Sequence, residues 1–146
     1  MDTNQLSVLR KIIYAVETGG QIYGNAQYDD FTEAYTNSSL EKAITIGSGA
    51  WYANEGLQLL KNIYKRDKSL FTQSLLDDMN NKDWNTYAIS KDSENAKTIV
   101  KIISSDIGKK CQDALMDEQL TTYCNQAIQL GVTYPDAQAI VANWIH

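Results

Sequence analysis

The chain has 146 residues, of which 43% are hydrophobic, and its formal net charge is -5. This size and apolar content suit one domain, residues 1-146, that buries a core without disulfides or metal. An acidic chain lacks the clustered Lys and Arg that bind nucleic acid or an anionic membrane surface, so we expect neither partner. The sequence also lacks the apolar run of a membrane span, and MDTNQLSVLRK lacks the basic start and apolar region of a secretory signal.

Two residue types narrow the possible chemistry. Cys111 and Cys124 are the only cysteines, without C-x-x-C spacing or a nearby His, so we expect buried free thiols and no metal site. The one histidine, His146, is the last residue, which is a poor position for a member of a nucleophilic triad. An enzyme built on this chain would therefore use carboxylates, and we expect no cofactor.

The first predicted element is a helix with one apolar face. Its apolar residues recur at helical spacing and are Leu6, Leu9, Ile13 and Val16. Gly19 and Gly20 end the helix, because glycine adopts the left-handed C-terminal conformation at little cost. Glu17 therefore lies in the last helical turn.

A β-hairpin is predicted next. The segment FTEAYT (31–36) is rich in aromatic and β-branched residues, and KAITIGSG (42–49) can return as a second strand. With NSSLE as the turn, Ala34 lies roughly opposite Thr45.

Helical patterns occupy the rest of the chain, and about five helices are predicted. Asp67 is a candidate N-cap for the second of them, and Pro135 suits the first turn of the last. The fold class is α+β, mainly α: one N-terminal helix, a small hairpin and then a helical domain. The chain stops within the apolar-periodic run AIVANWIH, which predicts a module of a longer protein.

Glu17 is the first candidate for catalysis. A carboxylate in the last turn of a helix meets the negative end of the helix dipole, which disfavours ionisation and raises its pKa. A carboxyl that stays protonated near neutral pH suits the general acid of a glycosidase. An ordinary surface Glu before a Gly-Gly cap is the alternative.

The order of the segments resembles the lysozyme superfamily. Glu-Thr-Gly-Gly (17–20) is similar to the Glu-Ser-Gly signature of goose-type lysozymes and lytic transglycosylases, and Thr-Ile-Gly-Ser-Gly (45–49) to the Thr-Ile-Gly-x-Gly strand of phage-type lysozymes. The runs VETGGQIYG, YDDFTEAYTNSS, AITIGSGAWY and GKKCQDALMDEQ together resemble a glycosidase module of phage and prophage peptidoglycan hydrolases from Gram-positive hosts.

The resemblance implies a lysozyme-like fold and an antimicrobial, cell-wall-lysing hydrolase, either an endolysin or a tail-associated lysin of a bacteriophage. The bond cleaved would be the β-1,4 link between N-acetylmuramic acid and N-acetylglucosamine in the peptidoglycan glycan strand. Glu17 would be the general acid, and Thr45 would lie across the cleft. Such modules act as monomers tethered to further wall-hydrolysing or wall-binding domains. They stay in the host cytoplasm until release, or they act from the virion or outside the cell.

The second carboxylate is left open by the resemblance. Phage-type lysozymes carry an Asp about six residues before the strand Thr, where this chain has Ser39, and a His where it has Ala50. The candidates, in order of preference, are Glu33, then Asp29 or Asp30, then Glu41. We expect Glu33, or else Asp29 or Asp30, at the separation of an inverting enzyme. A lytic transglycosylase with Glu17 as its only acid would need no second carboxylate.

Aromatic residues and glycines surround the predicted hairpin. Aromatic rings can stack on sugar rings or cover the hairpin as core, and the aromatic residues here are Tyr23, Tyr28, Tyr35, Trp51 and Tyr52. Gly47 and Gly49 can admit a glycan to the strand backbone, or mark a bulge and a close helix contact. Trp84 and Trp144 have the helical spacing of core residues.

Two functions of other classes compete with the glycosidase. A catalytically inactive wall-binding module would bind cell-wall sacculi without clearing their turbidity. A helical interaction or structural protein would have no cleft at Glu17.

Overall fold

The computed structural model describes residues 27–129, with side chains through residue 122. This part of the chain is mixed α and β and mainly helical, as predicted, with four α-helices and a three-stranded antiparallel sheet. The elements in chain order are β1 (Phe31–Thr32), β2 (Thr45–Ile46), β3 (Trp51–Tyr52), α1 (Asn54–Arg66), α2 (Gln73–Asn81), a 3-10 turn (Trp84–Thr86), α3 (Glu94–Ser104) and α4 (Asp106–Gln129). The helices predicted before Gly19 and after Pro135 lie outside the described residues.

The described residues belong to two compact units. Residues 27–112 form one unit, which contains the sheet, α1 to α3 and the start of α4. Residues 113–129 belong to the other unit and continue α4.

The predicted hairpin is present, with a different register. Thr45 pairs with Thr32, and the predicted pairing with Ala34 is wrong by two residues. The β1 strand ends early because Tyr35 turns into the left-handed region at φ 63°. A hydrogen bond of 2.7 Å from the Tyr35 N–H to the Glu41 carbonyl then closes a long loop.

The second strand of the hairpin is shorter than predicted, and a third strand follows it. Gly47, with φ 80°, starts a turn in which the Ala50 N–H donates to the Gly47 carbonyl at 3.1 Å. The chain reverses there and pairs β3 with β2, Thr45 opposite Tyr52 and Ile46 opposite Trp51. The sequence predicts Gly47 and Gly49 at the end of a strand, but both belong to a turn. Gly47 begins this turn because glycine readily adopts a positive φ.

The α1 helix packs against the sheet, and the helices pack against each other. The α1 helix contacts β3, the 3-10 turn and α3, and α2 contacts α3. A Cβ atom added at Gly56 of α1 would lie 3.2 Å from the Ile46 side chain and from the Trp51 carbonyl oxygen, so glycine permits this close approach. The fully buried core includes Ile44, Ile46, Leu59, Leu60, Ile63, Leu75, Trp84, Ile99 and Ile102.

A polar network joins α2, the 3-10 turn and α3. The Asp78 carboxylate accepts hydrogen bonds from the Tyr87 hydroxyl at 2.6 Å and from the Asn95 amide at 2.8 Å. The Trp84 indole donates to the Asp78 carbonyl at 3.0 Å and stacks on Tyr87 with ring centroids 4.1 Å apart. Burial first, and then the bond to Asp78, raise the pKa of Tyr87, so its phenol stays a donor. Ile44 N–H donates to the Tyr87 carbonyl, which ties this network to the sheet.

Serine and threonine begin three of the helices. Thr72 caps α2, so the predicted cap Asp67 is wrong: the Asp67 carboxylate instead accepts from the N–H and hydroxyl of Ser69 in the loop before. Ser93 caps α3 through the Ala96 N–H. Ser105 separates α3 from α4 and accepts from the Gly108 N–H at 3.0 Å.

The cysteine prediction is confirmed for one residue. Cys111 is a free thiol in the core of the described structure, and burial raises its pKa. Trp84 is buried in the core as predicted. The side chains of Cys124 and Trp144 lie outside the described residues.

Candidate functional site

The small sheet has one apolar face and one polar face. Residues that pair directly across antiparallel strands share a face, so Phe31, Ile46 and Trp51 form one row and Thr32, Thr45 and Tyr52 the other. Ile46 and Trp51 are buried, whereas all three members of the second row are half-buried. The hydroxyl groups of Thr32, Thr45 and Tyr52 therefore lie on one partly exposed face of the sheet.

Asp30 extends this polar row. Its carbonyl accepts from the Gly47 N–H at 2.8 Å, which continues the pairing of β1 with β2 by one step. Side chains two residues apart on a strand share a face, and the Thr32 hydroxyl donates to the Asp30 carboxylate at 3.4 Å. We call Asp30, Thr32, Thr45 and Tyr52 the polar face.

The surroundings of Asp30 raise the pKa of its carboxyl group. Burial raises its pKa above the ordinary value of 3.8, the hydrogen bond from Thr32 opposes this, and the neighbouring charge of Asp29 adds to the rise. A carboxylate with a raised pKa binds a proton more readily than a fully solvated one. Asp30 is thus suited to proton transfer, and shifts of this kind concentrate at functional sites.

The other acidic candidates are placed differently. Glu33, which ranks first from the sequence, accepts a hydrogen bond of 2.7 Å at its carboxylate from the Lys91 N–H in the loop before α3. Asp29 is exposed beside Asp30. Glu41 lies in the loop between β1 and β2, where its N–H and carbonyl make the turn bonds.

The aromatic candidates divide into exposed, half-buried and buried rings. Tyr35 is 58% exposed in the β1–β2 loop. Tyr52 is half-buried, and its hydroxyl accepts from the Lys42 N–H at 2.9 Å. Trp51 is only 1% exposed, which agrees with the core alternative for this residue and leaves no free ring face for a sugar.

Backbone strain concentrates around the sheet. Among the described residues, the non-glycine residues with positive φ are Tyr35, Ala50 and Ala53, at 63°, 49° and 55°. Each such residue costs on the order of 1–3 kcal/mol and persists only where the surroundings hold it. Strain of this kind clusters at functional sites, and here it borders the polar face.

A buried amide is hydrogen-bonded to the two chain segments that flank the polar face at Asp30. Gln112 and Ser48 are both fully buried. The Gln112 amide oxygen accepts from the N–H and the hydroxyl of Ser48, each at 2.9 Å, and its NH₂ donates to the carbonyls of Tyr28 and Ile103, each at 2.9 Å. A Cβ added at Gly47 would lie 2.8 Å from this amide oxygen, so the glycine makes room for it.

The sequence prediction missed Gln112, Ser48 and Thr32. Gln112 lies four residues after Gly108 and three before Leu115, on the apolar side of α4, and a polar residue in that position is the available signal for a buried network. Ser48 and Thr32 carry no such signal, because their roles depend on strand register. The predicted general acid Glu17 and the predicted binding residue Tyr23 lie outside the described residues.

Among the side chains that the structure describes, no cluster of His, Cys, Asp and Glu could hold a metal ion. None of the helices described is long and apolar enough to cross a bilayer. No protein-family model, curated protein or solved structure matches the chain.

Proposed function

We propose that this chain is a lysozyme-like glycosidase that cleaves the β-1,4 bond between N-acetylmuramic acid and N-acetylglucosamine in peptidoglycan. Glu17 is the general acid, and the polar face binds the glycan strand. The observation that carries the proposal is that Thr45 and a half-buried carboxyl, Asp30, lie on the same face of the sheet, beside residues with strained backbone.

The arrangement of elements supports this proposal. A small antiparallel sheet followed by packed helices is the order that the resemblance to phage lysozymes implies. Thr45, the residue that resembles the strand threonine of that family, lies in the central strand with its side chain on the polar face. Tyr35 and Tyr52 at the same sheet add aromatic surface and a phenol, which suit the apolar faces and hydroxyls of sugars.

Asp30 replaces Glu33 as the preferred second carboxylate. The Glu33 carboxylate is engaged by the Lys91 N–H, whereas Asp30 shares the polar face with Thr45. In an inverting reaction, Asp30 takes a proton from water as the water oxygen bonds to the anomeric carbon. Glu17 gives its proton to the glycosidic oxygen as that bond breaks. The raised pKa makes Asp30 a stronger base while it remains ionised.

The biological setting follows from the same proposal. The substrate is the glycan strand of a Gram-positive wall, and the chain acts as a monomer tethered to further wall-hydrolysing or wall-binding domains. It reaches the wall after release from the host cytoplasm, or from the virion.

The direct test is wall lysis by a Glu17→Gln variant. The amide matches the carboxyl in shape but cannot donate the proton, so turbidity clearance of purified sacculi should fall by about 10²–10⁴-fold while the folded state is kept. Glu55→Gln is the matched control, because Glu55 is an exposed carboxylate in the first turn of α1. Activity of Glu17→Gln above about a tenth of wild type would refute the role of Glu17.

The competing functions give different results in the same assay. An inactive wall-binding module would sediment with sacculi and leave their turbidity unchanged, for the wild-type chain as well as for the variant. A protein of the structural or interaction class would do neither.

A further inference from the structure

The buried pair Gln112 and Ser48 lies next to the end of the polar face at Asp30 and takes no part in the proposed proton transfers. We propose that Gln112 is a positioning residue that fixes Asp30 and the turn after Thr45 in their relative places. This inference rests on the proposed function for its catalytic consequence, while its structural part stands on the hydrogen bonds alone.

The hydrogen bonds close a ring that includes the backbone of Asp30. The Asp30 carbonyl accepts from the Gly47 N–H, and the next residue, Ser48, donates its N–H to the Gln112 amide oxygen. The Gln112 NH₂ donates in turn to the carbonyl of Tyr28, two residues before Asp30. The chain that precedes β1 and the turn that follows β2 are therefore held by one side chain.

The chemistry of the amide explains why glutamine occupies this place. The NH₂ supplies two donors and the oxygen accepts twice, and all four interactions are made at 2.9 Å. The fourth partner is the carbonyl of Ile103 near the end of α3, so the ring is anchored to the helical layer. An apolar side chain of similar volume would leave these buried partners unsatisfied.

Two further contacts restrict movement of the same segments. The missing Cβ of Gly47 leaves room for the Gln112 amide oxygen and for the Trp51 ring, which a Cβ would approach to 2.9 Å. The Lys109 ammonium lies 5.9 Å from the centroid of the Tyr28 ring. Residues from the start of α4 thus hold the end of the polar face where Asp30 lies opposite Gly47.

The test combines a local structural measurement with kinetics. Gln112→Met removes all four hydrogen bonds, and Ser48→Ala removes only the hydroxyl donor, which keeps the test valid if the first variant does not fold. Tyr87→Phe is the matched control, since it deletes a part-buried hydrogen bond to Asp78, which is not among the partners of Gln112. For each variant, amide hydrogen exchange of Gly47 is compared with that of Leu60 in α1, and kcat and KM are measured on soluble peptidoglycan fragments.

A positioning role predicts selective local opening. Exchange of the Gly47 amide should rise by about 10-fold or more relative to Leu60 in Gln112→Met, and less in Ser48→Ala, whereas Tyr87→Phe should leave the ratio unchanged. We expect kcat to fall by about 10-fold or more in Gln112→Met with KM changed less than about threefold.

A proportional rise of both amides in all three variants, or an equal loss of kcat in Tyr87→Phe, would overturn the inference. If wild-type protein releases no sugar, the proposed function fails, and the Gly47 exchange ratio alone decides whether Gln112 holds this segment.

Discussion

Asp30, which we propose as the second carboxylate, lowers the stability of the fold when it is ionised. Because its pKa in the folded chain lies above the ordinary 3.8, the folded state holds this proton more tightly than the unfolded state does. The carboxyl therefore destabilises the fold progressively as pH rises from the ordinary pKa to the raised one, and the cost remains in full above it. A half-buried carboxylate that lowers stability in this way is expected at a reactive site, where function can outweigh the loss.

This linkage predicts the behaviour of Asp30→Asn. The amide never ionises, so the variant should melt at the same temperature as wild type or slightly higher near pH 7, and that gain should vanish near pH 3. Wall lysis should fall by about 10²-fold or more if Asp30 is the base. Thermal unfolding at the two pH values and turbidity clearance check the two parts, with exposed Asp92→Asn as the control. A variant that is clearly less stable than wild type near pH 7 but fully active would contradict both.

Tyr35 gives a second prediction at the scale of one residue. Its ring is 58% exposed, so Tyr35→Ala should change the free energy of unfolding little while raising KM for glycan fragments severalfold through the lost stacking surface. Leu40→Ala is the control, because Leu40 is 80% exposed in the same loop and has no ring. Equal KM values for the two variants would remove Tyr35 from the binding surface.

At the scale of elements, the junction of α3 and α4 depends on one glycine. A Cβ at Gly108 would meet the carbonyl oxygens of Ile102 and Ile103, the latter at 2.7 Å, and both belong to backbone that cannot turn aside. Gly108→Ala should therefore lower the free energy of unfolding by about 1–3 kcal/mol or more. Denaturant unfolding measures this, and exposed Lys110→Ala in the same helix should change stability by less than about 0.5 kcal/mol. Wild-type stability of Gly108→Ala would show that the helices separate more easily than the packing implies.

The same elements mark what could be predicted from the sequence. Apolar spacing predicted helices where α1, α2, α3 and α4 lie, because each of them has a buried stripe. Periodicity predicted two helical stretches here but placed the break after Ile107 instead of at Ser105, since the apolar pattern continues across Ser105. Strand register depended on the backbone of Tyr35, whose left-handed φ is not a preference of tyrosine.

The candidate site was less predictable than the fold for the same reason. Thr45 and Asp30 were among the candidates, but Glu33 ranked above Asp30 because the predicted register brought it near Thr45. The bond from the Lys91 N–H to Glu33 joins residues 58 apart in sequence, and the bond from Gln112 to Tyr28 joins residues 84 apart. Contacts of this range follow from packing and have no local sequence signal.

At the scale of the whole molecule, the described residues place an acidic, hydroxyl-rich sheet face in a unit of 86 residues, 27–112, that has its own buried core. Burial of Ile46 and Trp51 on the other face fixes which side of the sheet can meet a ligand. We propose that the chain uses this face to bind the glycan strand and Glu17 as the acid that hydrolyses it.

Mass spectrometry of the fragments released from purified peptidoglycan tests this claim most directly. We predict muropeptides with a reducing N-acetylmuramic acid end from the wild-type chain, and none above background from Glu17→Gln or Asp30→Asn. Anhydro-sugar ends formed equally by wild type and Asp30→Asn would contradict the two-carboxylate hydrolysis and identify a transglycosylase that uses Glu17 alone. Intact glycan strands after incubation with the wild-type chain would contradict the assignment as a glycosidase.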